Sequence, residues 1–381
     1  MPPASSALGI THYLCFGDAS GYAVAAKRCA TALAAAGVDV TPVPFVPSGD
    51  WGLGYAPVVA QSVGGTPDTV VAHLPAEYYE LVRRRYPTSR LIAHTVWETE
   101  RLPRPWLPLL EVPDLLVVPT AWNTETIGRD GVRTPAAVVP HASTPARPAT
   151  SERWDVDDRT FVFYTIASWT ARKSVWNTVR AYLRAFTADD PVLLVVKTST
   201  VDFTYTGRPP ASPVAPGTAA HALAHVVKDF RHPAAVRLVT REVSDADIAA
   251  LHTRGQCFVS LARAEGWGIG AFDAAAYGNA VVTTRFGGPL SYLDDATAYL
   301  VDFDLVAADD PDPATLYTSD HLWAEPSVDH AAGLLRRVFD DPRDVAARTS
   351  VLERRIARRY RPEVVAARFN EAVAVAPLAS A

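Results

Sequence analysis

Two acidic residues bracket a glycine-rich stretch late in the chain. Glu265 opens the run Glu-Gly-Trp-Gly-Ile-Gly, and Asp273 follows it after seven intervening residues. A carboxylate can accept from two adjacent hydroxyls, so two acids beside a glycine loop suit recognition of a polyol. Gly266, Gly268 and Gly270 allow the main chain to approach a ligand closely, with Trp267 and Ile269 between them. The bland reading is a tight strand-to-helix connection. The second candidate is Arg172-Lys173, ahead of another helix pattern. A helix N-terminus is already positive, so two cations there call for an anion, and a diphosphate would supply it. The bland reading here is a solvated basic loop.

Both candidates fall where a strand hands over to a helix. Residues 257–262 are an apolar run of strand length, and the helix pattern resumes at 271 and ends at Gly278. Residues 279–284 read as the next strand, closed by Gly287-Gly288. Upstream, a strand at 160–166 leads through Ser168, Arg172 and Lys173 to a helix at 175–186 and a strand at 192–197. The first part of the chain alternates in the same way. A strand at 10–16 is followed by Gly21, a helix at 22–36 stopped by Gly37, and a strand at 38–43. Further strands are expected at 69–73, 91–95, 114–119 and 136–140, with a helix at 76–86.

Residues 47–65, rich in Gly, Pro and aromatics, read as a surface loop, and 145–153 as an interdomain linker. Later come a helix at 219–230, a strand at 236–240, a helix capped by Ser244-Asp245, and helices at 330–339, 342–360 and 362–375. The acidic loop 309–312 reads as a solvated turn rather than a metal site. Such alternation defines an α/β protein of doubly wound sheets, which bind ligands beyond the carboxyl ends of their strands. The glycine spacing also invites a nicotinamide-cofactor reading. That would need the loop after the first strand and an acid ending the next one, whereas this loop comes late and the next strand ends in Thr283-Thr284-Arg285.

A chain of 381 residues, 49% hydrophobic, has material for two cores. A net charge of -5 gives no basic excess that would mark nucleic acid as the main partner. Three cysteines at no metal spacing read as buried small hydrophobes of a reducing compartment. The N-terminal residues lack a signal-peptide pattern, and no apolar run has the length of a membrane span, so a cytoplasmic location is expected.

The stretch Glu265-Gly266-Trp267-Gly268, with Asp273, resembles the C-terminal signature of the retaining GT-B glycosyltransferases, in particular family 4. That signature has a Glu, seven residues and a second Glu around a Gly-Phe-Gly loop. Trp97-Glu98-Thr99-Glu100-Arg101-Leu102-Pro103, the Val-Val-Pro-His close at His141, and the loop from Ser168 to Arg172-Lys173 are similar to a bacterial subgroup of that family. The resemblance covers 10–142, and more closely 160–197 and 236–340.

It implies two Rossmann-like domains facing a central cleft, with the last helix returning to the first domain. Residues 1–148, with about 362–381, would form the acceptor side, and 155–360 would bind the nucleotide-sugar. The implied activity is retaining transfer of a sugar from an NDP-sugar to a hydroxyl acceptor. No metal and no cofactor beyond that co-substrate are implied. Glu265, Lys173 and Arg172 would be catalytic. Gly21, Ser168, Gly266, Trp267, Gly268, Ile269, Gly270 and Asp273 would bind the donor, and His73, Trp97, Glu98 and His141 would lie on the acceptor side. Two positions depart from the pattern: Asp273 replaces the second Glu, and Ser168 stands where many members carry Arg. The acceptor stays open among a saccharide, a natural product, a protein and a modified nucleobase. A GT-B epimerase or phosphorylase, or a non-catalytic sugar-nucleotide-binding protein, would share these features.

Overall fold

The computed structural model describes residues 8–17, 20–48, 56–58, 66–146, 154–208, 210, 212–312 and 315–375. The chain divides into two units, Met1–Thr144 with Arg358–Ala381, and Pro145–Ala357. Most of the expected linker, 147–153, lies outside the described residues.

The first unit runs β1 (Thr11–Phe16), α1 (Gly21–Ala35), β2 (Val40–Ser48), β3 (Ala56–Val58) and β4 (Thr69–Ala72). A 3-10 turn, Ala76–Tyr78, then enters α2 (Tyr79–Arg85), followed by β5 (Arg90–His94), α3 (Trp106–Leu109), β6 (Leu115–Val118), α4 (Ala121–Arg129) and β7 (Ala136–Val138). The strands form one sheet in the order β3-β2-β1-β4-β5-β6-β7. All neighbours are parallel except β2 and β3. Part of the expected surface loop 47–65 is therefore strand, because β2 continues to Ser48 and pairs with β3 at Val46–Ser48. Pro42 and Pro44 are tolerated in β2 because, among the described residues, no strand pairs with its outer side there, and a missing N–H costs least on an edge.

Ser20 starts α1 by accepting from the amide of Ala23 at 3.3 Å, and Gly37, at φ 85°, ends its turn.

The second unit follows as β8 (Phe161–Ile166), α5 (Val175–Ala185), β9 (Val192–Lys197), α6 (Ala219–Val227), β10 (Ala235–Val239), α7 (Asp245–Arg254) and β11 (Cys257–Ser260). It goes on through α8 (Ile269–Ala276), β12 (Ala280–Thr284), β13 (Tyr299–Val301), β14 (Phe303–Ala307), β15 (Leu322–Pro326), α9 (Val328–Asp340) and α10 (Pro342–Arg359). Its main sheet has the order β10-β9-β8-β11-β12-β13, with all neighbours parallel. This is the doubly wound order with its switch point between β8 and β11. The loops leaving those two strands carry Arg172-Lys173 and Glu265. Strands β14 and β15 form a separate antiparallel pair.

The last helix, α11 (Pro362–Val375), belongs to the first unit. Its apolar face, Val365, Ala366, Phe369 and Val373, is buried in one cluster with Ala26, Cys29, Ala30 and Leu33 of α1. Small alanines on α1 let the two helices approach closely.

Candidate active site

The chemistry-bearing residues of the second unit meet at the switch point. Lys173 Nζ donates to Glu265 Oε1 at 2.5 Å, and Arg172 lies 3.4 Å from Oε2. Arg172 also donates to the carbonyl of Ala264 at 2.9 Å. All three side chains are mostly buried, at 22%, 18% and 15% exposure for Lys173, Arg172 and Glu265. Burial pushes the Glu265 carboxyl up, but Lys173 and then Arg172 outweigh it and hold it below the ordinary carboxylate value. The three groups together carry one net positive charge, so the cluster attracts an anion.

The loop ahead of α5 is strained. Ser174 caps that helix at φ 45°, ψ 45°, a left-handed conformation costly for a residue with a side chain. It is fully buried, and among the described residues its hydroxyl has no hydrogen-bond partner. Strain of this kind concentrates at functional sites. Ser168, earlier in the same loop, is exposed.

The glycine loop is shaped by close packing. Gly268 starts α8 at φ 79°, a position that favours glycine. A Cβ on Gly270 would lie 2.8 Å from the Phe258 ring. The Gly287-Gly288 turn lies directly on the Glu265 loop. The amide of Gly288 donates to the carbonyl of Glu265 at 2.8 Å, and a Cβ on Gly288 would lie 1.9 Å from the carbonyl oxygen of Gly266. The Tyr292 hydroxyl donates to the carbonyls of Trp267 at 2.9 Å and Gly268 at 3.0 Å. The Trp267 ring is buried against Phe272 and Tyr292, each 5.0 Å away between ring centres. Its side chain thus packs against Phe272 and Tyr292 and supports the loop. Ile269 opens α8, and Asp273 lies further along it, 9% exposed.

Arg263, Glu325 and Tyr292 escaped the sequence reading. Arg263 Nε donates to Glu325 Oε2 at 2.6 Å, and its second arm donates to the carbonyl of Ala171 at 3.1 Å. Its guanidinium lies 5.3 Å from the Trp176 ring centre and 5.0 Å from that of Trp323. The available signal was a lone arginine inside the apolar run Leu261-Ala262-Arg263-Ala264.

In the first unit, His73 and His141 join His94 in a stack of imidazoles. His73 lies 3.8 Å from His94 and 6.0 Å from His141, between ring centres. All three are buried, and His73 Nδ1 is 2.8 Å from the Tyr13 hydroxyl. Burial pushes all three bases down, His141 to about 3. Trp97 is buried, with its indole N–H donating to Thr99 at 2.8 Å, and its carbonyl accepts from Asn123 at 2.7 Å. Glu98 is half-buried. Gly21 is exposed in the first turn of α1. Tyr22, missed in the sequence, ties that turn to the end of β5 by donating to the carbonyl of Val96 at 3.1 Å.

Residues 232–309 match the family model described as Glycosyl transferases group 1. Among solved structures, HepE of Anabaena in complex with UDP and glucose is 12% identical, with a TM-score of 0.66 over 96% of this chain and 99% of that one. Sucrose-phosphate synthase of Thermosynechococcus elongatus is 15% identical, with a TM-score of 0.65 over 95% and 97%. An α,α-trehalose-phosphate synthase (UDP-forming) of Burkholderia xenovorans, in complex with glucose-6-phosphate, is 15% identical, with a TM-score of 0.57 over 82% and 74%. A search of curated proteins finds no match. The fold is the two-domain GT-B fold, and the glycosyltransferase match covers the loop that carries Glu265 and Asp273.

Proposed function

We propose that the protein is a glycosyltransferase that moves a sugar from an NDP-sugar to a hydroxyl acceptor, with retention at the anomeric carbon and without a metal ion. The observation that carries this reading is the cluster of Lys173, Arg172 and Glu265 at the switch point, whose acid, Glu265, lies inside the segment that matches group 1 glycosyltransferases. The neighbours solved with UDP, UDP-glucose or a UDP-sugar analogue support the donor class.

In the reaction, the bond from the anomeric carbon to the diphosphate oxygen breaks and a bond to the acceptor oxygen forms. The acceptor proton passes to the departing phosphate, giving NDP and a glycoside. Negative charge grows on the leaving diphosphate, and Lys173 and Arg172 would stabilise it as fixed cations. An ammonium carries three donors, so Lys173 can serve Glu265 and a phosphate oxygen together. Glu265 thereby holds the cations in place and offers a carboxylate to hydroxyls of the transferred sugar, where positive charge develops. Asp273, on α8, would serve the ribose. Main-chain groups of Gly266, Gly268 and Gly270 would line the donor, with Ser168 at the loop before the cations. His73, Trp97, Glu98 and His141 stay as acceptor-side candidates, with Trp97, His73 and His141 acting from buried positions. A thermal-shift screen with UDP-, GDP-, dTDP- and ADP-sugars tests the reading. One donor should raise the midpoint, since a ligand at about 100 times its dissociation constant stabilises by about 2.7 kcal/mol. No shift with any of them would count against it.

A further inference from the structure

Beside the contacts of Arg172 and Lys173 with Ala264 and Glu265, the main chain of the loop 171–173 is held by Arg263. The main-chain amide of Arg263 donates to the carbonyl of Arg172 at 2.7 Å, while its side chain donates to the carbonyl of Ala171 at 3.1 Å. One residue therefore grips two successive carbonyls immediately before Lys173. The grip is itself anchored. Glu325 accepts from Arg263 Nε at 2.6 Å and from Asn177 Nδ2 at 2.9 Å, which ties the arginine to α5 as well. The Trp176 and Trp323 rings lie close to the guanidinium. Beneath them a small core of Ala171, Ala264, Ala308 and Trp323, with Trp176, Phe286 and Tyr317 against it, seats the loop. A planar guanidinium can stack on aromatic rings while its fork bonds a carboxylate and a carbonyl; an ammonium cannot reproduce that geometry.

We propose that Arg263 is a positioning residue for the donor diphosphate. It sets the course of the main chain at Ala171 and Arg172, so that the Arg172 and Lys173 side chains reach Glu265 and the phosphates. It touches no substrate itself. The β14–β15 hairpin, through Glu325 and Trp323, is then the buttress of the phosphate loop rather than a surface ornament. This inference rests on the donor reading given above.

The test is a double-mutant cycle read by NDP affinity. Calorimetry with UDP, GDP, dTDP and ADP on the unaltered protein selects the probe. Absence of binding by all four would sink the donor reading, and this proposal with it. With a probe in hand, Arg263→Lys and Arg263→Gln are measured alone and in an Arg172→Ala, Lys173→Ala background, all well below their melting temperatures. Acting through the loop, Arg263→Lys should weaken NDP binding about tenfold alone and leave affinity nearly unchanged once both cations are gone, the non-additivity expected of residues that work through one contact. Arg263→Gln should behave alike or more severely. If it does not fold, the lysine variant decides. Equal losses in both backgrounds would mean a general structural role and overturn the proposal. Full affinity in Arg263→Lys, while the unaltered protein binds the same NDP, would overturn it without touching the donor reading.

Discussion

Replacing Glu265 by Gln removes one negative charge from between two cations and leaves the shape of the side chain nearly intact. Lys173 sits 2.5 Å from one carboxylate oxygen and Arg172 3.4 Å from the other, with all three side chains largely out of solvent. A hydrogen bond to a charged group is worth about 1.5–3 kcal/mol, and the longer Arg172 contact adds little to that. For a unit of this size, each kcal/mol moves the midpoint by about 2–4 °C, so the ligand-free variant should melt about 3–12 °C lower. The lost charge is of the kind a diphosphate supplies. Added NDP should therefore raise the midpoint more in Glu265→Gln than in the unaltered protein, and NDP affinity should hold or improve. Turnover should fall about 100-fold or more, since a carboxylate facing developing positive charge acts chiefly in the transition state. Differential scanning fluorimetry with and without NDP, alongside steady-state kinetics on the same preparations, reads all three quantities. Weaker NDP binding with turnover retained would refute the assignment of Glu265 to the sugar and to the cations.

Lys173→Ala should lower kcat/KM about tenfold or more, and Arg172→Ala less, in keeping with their distances to Glu265; the same steady-state assay checks both. Gly288→Ala places a methyl against the carbonyl of Gly266 and must displace the Glu265 loop. It should cost about tenfold or more in kcat/KM, where ordinary surface Gly→Ala changes cost almost nothing. The first unit should lose stability in mild acid. His73, His94 and His141 are bases whose folded values lie below 6.5, so below that pH the unfolded chain binds more protons than the folded one. Stability is full above about 6.5 and drains as pH falls towards the folded values. His141 alone, pushed down to about 3, should account for about 2 kcal/mol between pH 7 and 5. Urea melts at the two pH values, with and without His141→Asn, measure this, and an unchanged pH slope in the variant would contradict it.

Much of the scaffold was legible because it rests on local signals. Buried parallel strands such as β9 are nearly unbroken apolar runs, and Ser244, Gly37 and Gly278 punctuate helices where caps and stops belong. The extension of β2 and its pairing with β3 were hidden by prolines, which normally argue against a strand. The β14–β15 pair was hidden because its two short strands are separated by a long polar connection. The glycine loop and its two acids could be read from spacing. That Glu265 would bind Arg172 and Lys173 could not, since nothing local links positions so far apart; the switch point of the sheet does so. Arg263 and Tyr292 were missed for the same reason. Each looks ordinary in sequence and acquires a role only from carbonyls that the fold brings to it.

The most direct measurement of the central claim is acceptor-dependent transfer in the presence of excess EDTA. The protein is incubated with the NDP-sugar that stabilises it and a panel of saccharide, natural-product, peptide and nucleobase acceptors. NDP release and acceptor mass are followed together, and the anomeric proton of the product is read by NMR. The expected result is NDP release that depends on one acceptor, a mass gain of one glycosyl residue, and the anomeric configuration of the donor. Donor consumption without any glycosylated acceptor, an inverted product, or activity abolished by EDTA and restored by magnesium or manganese would contradict it.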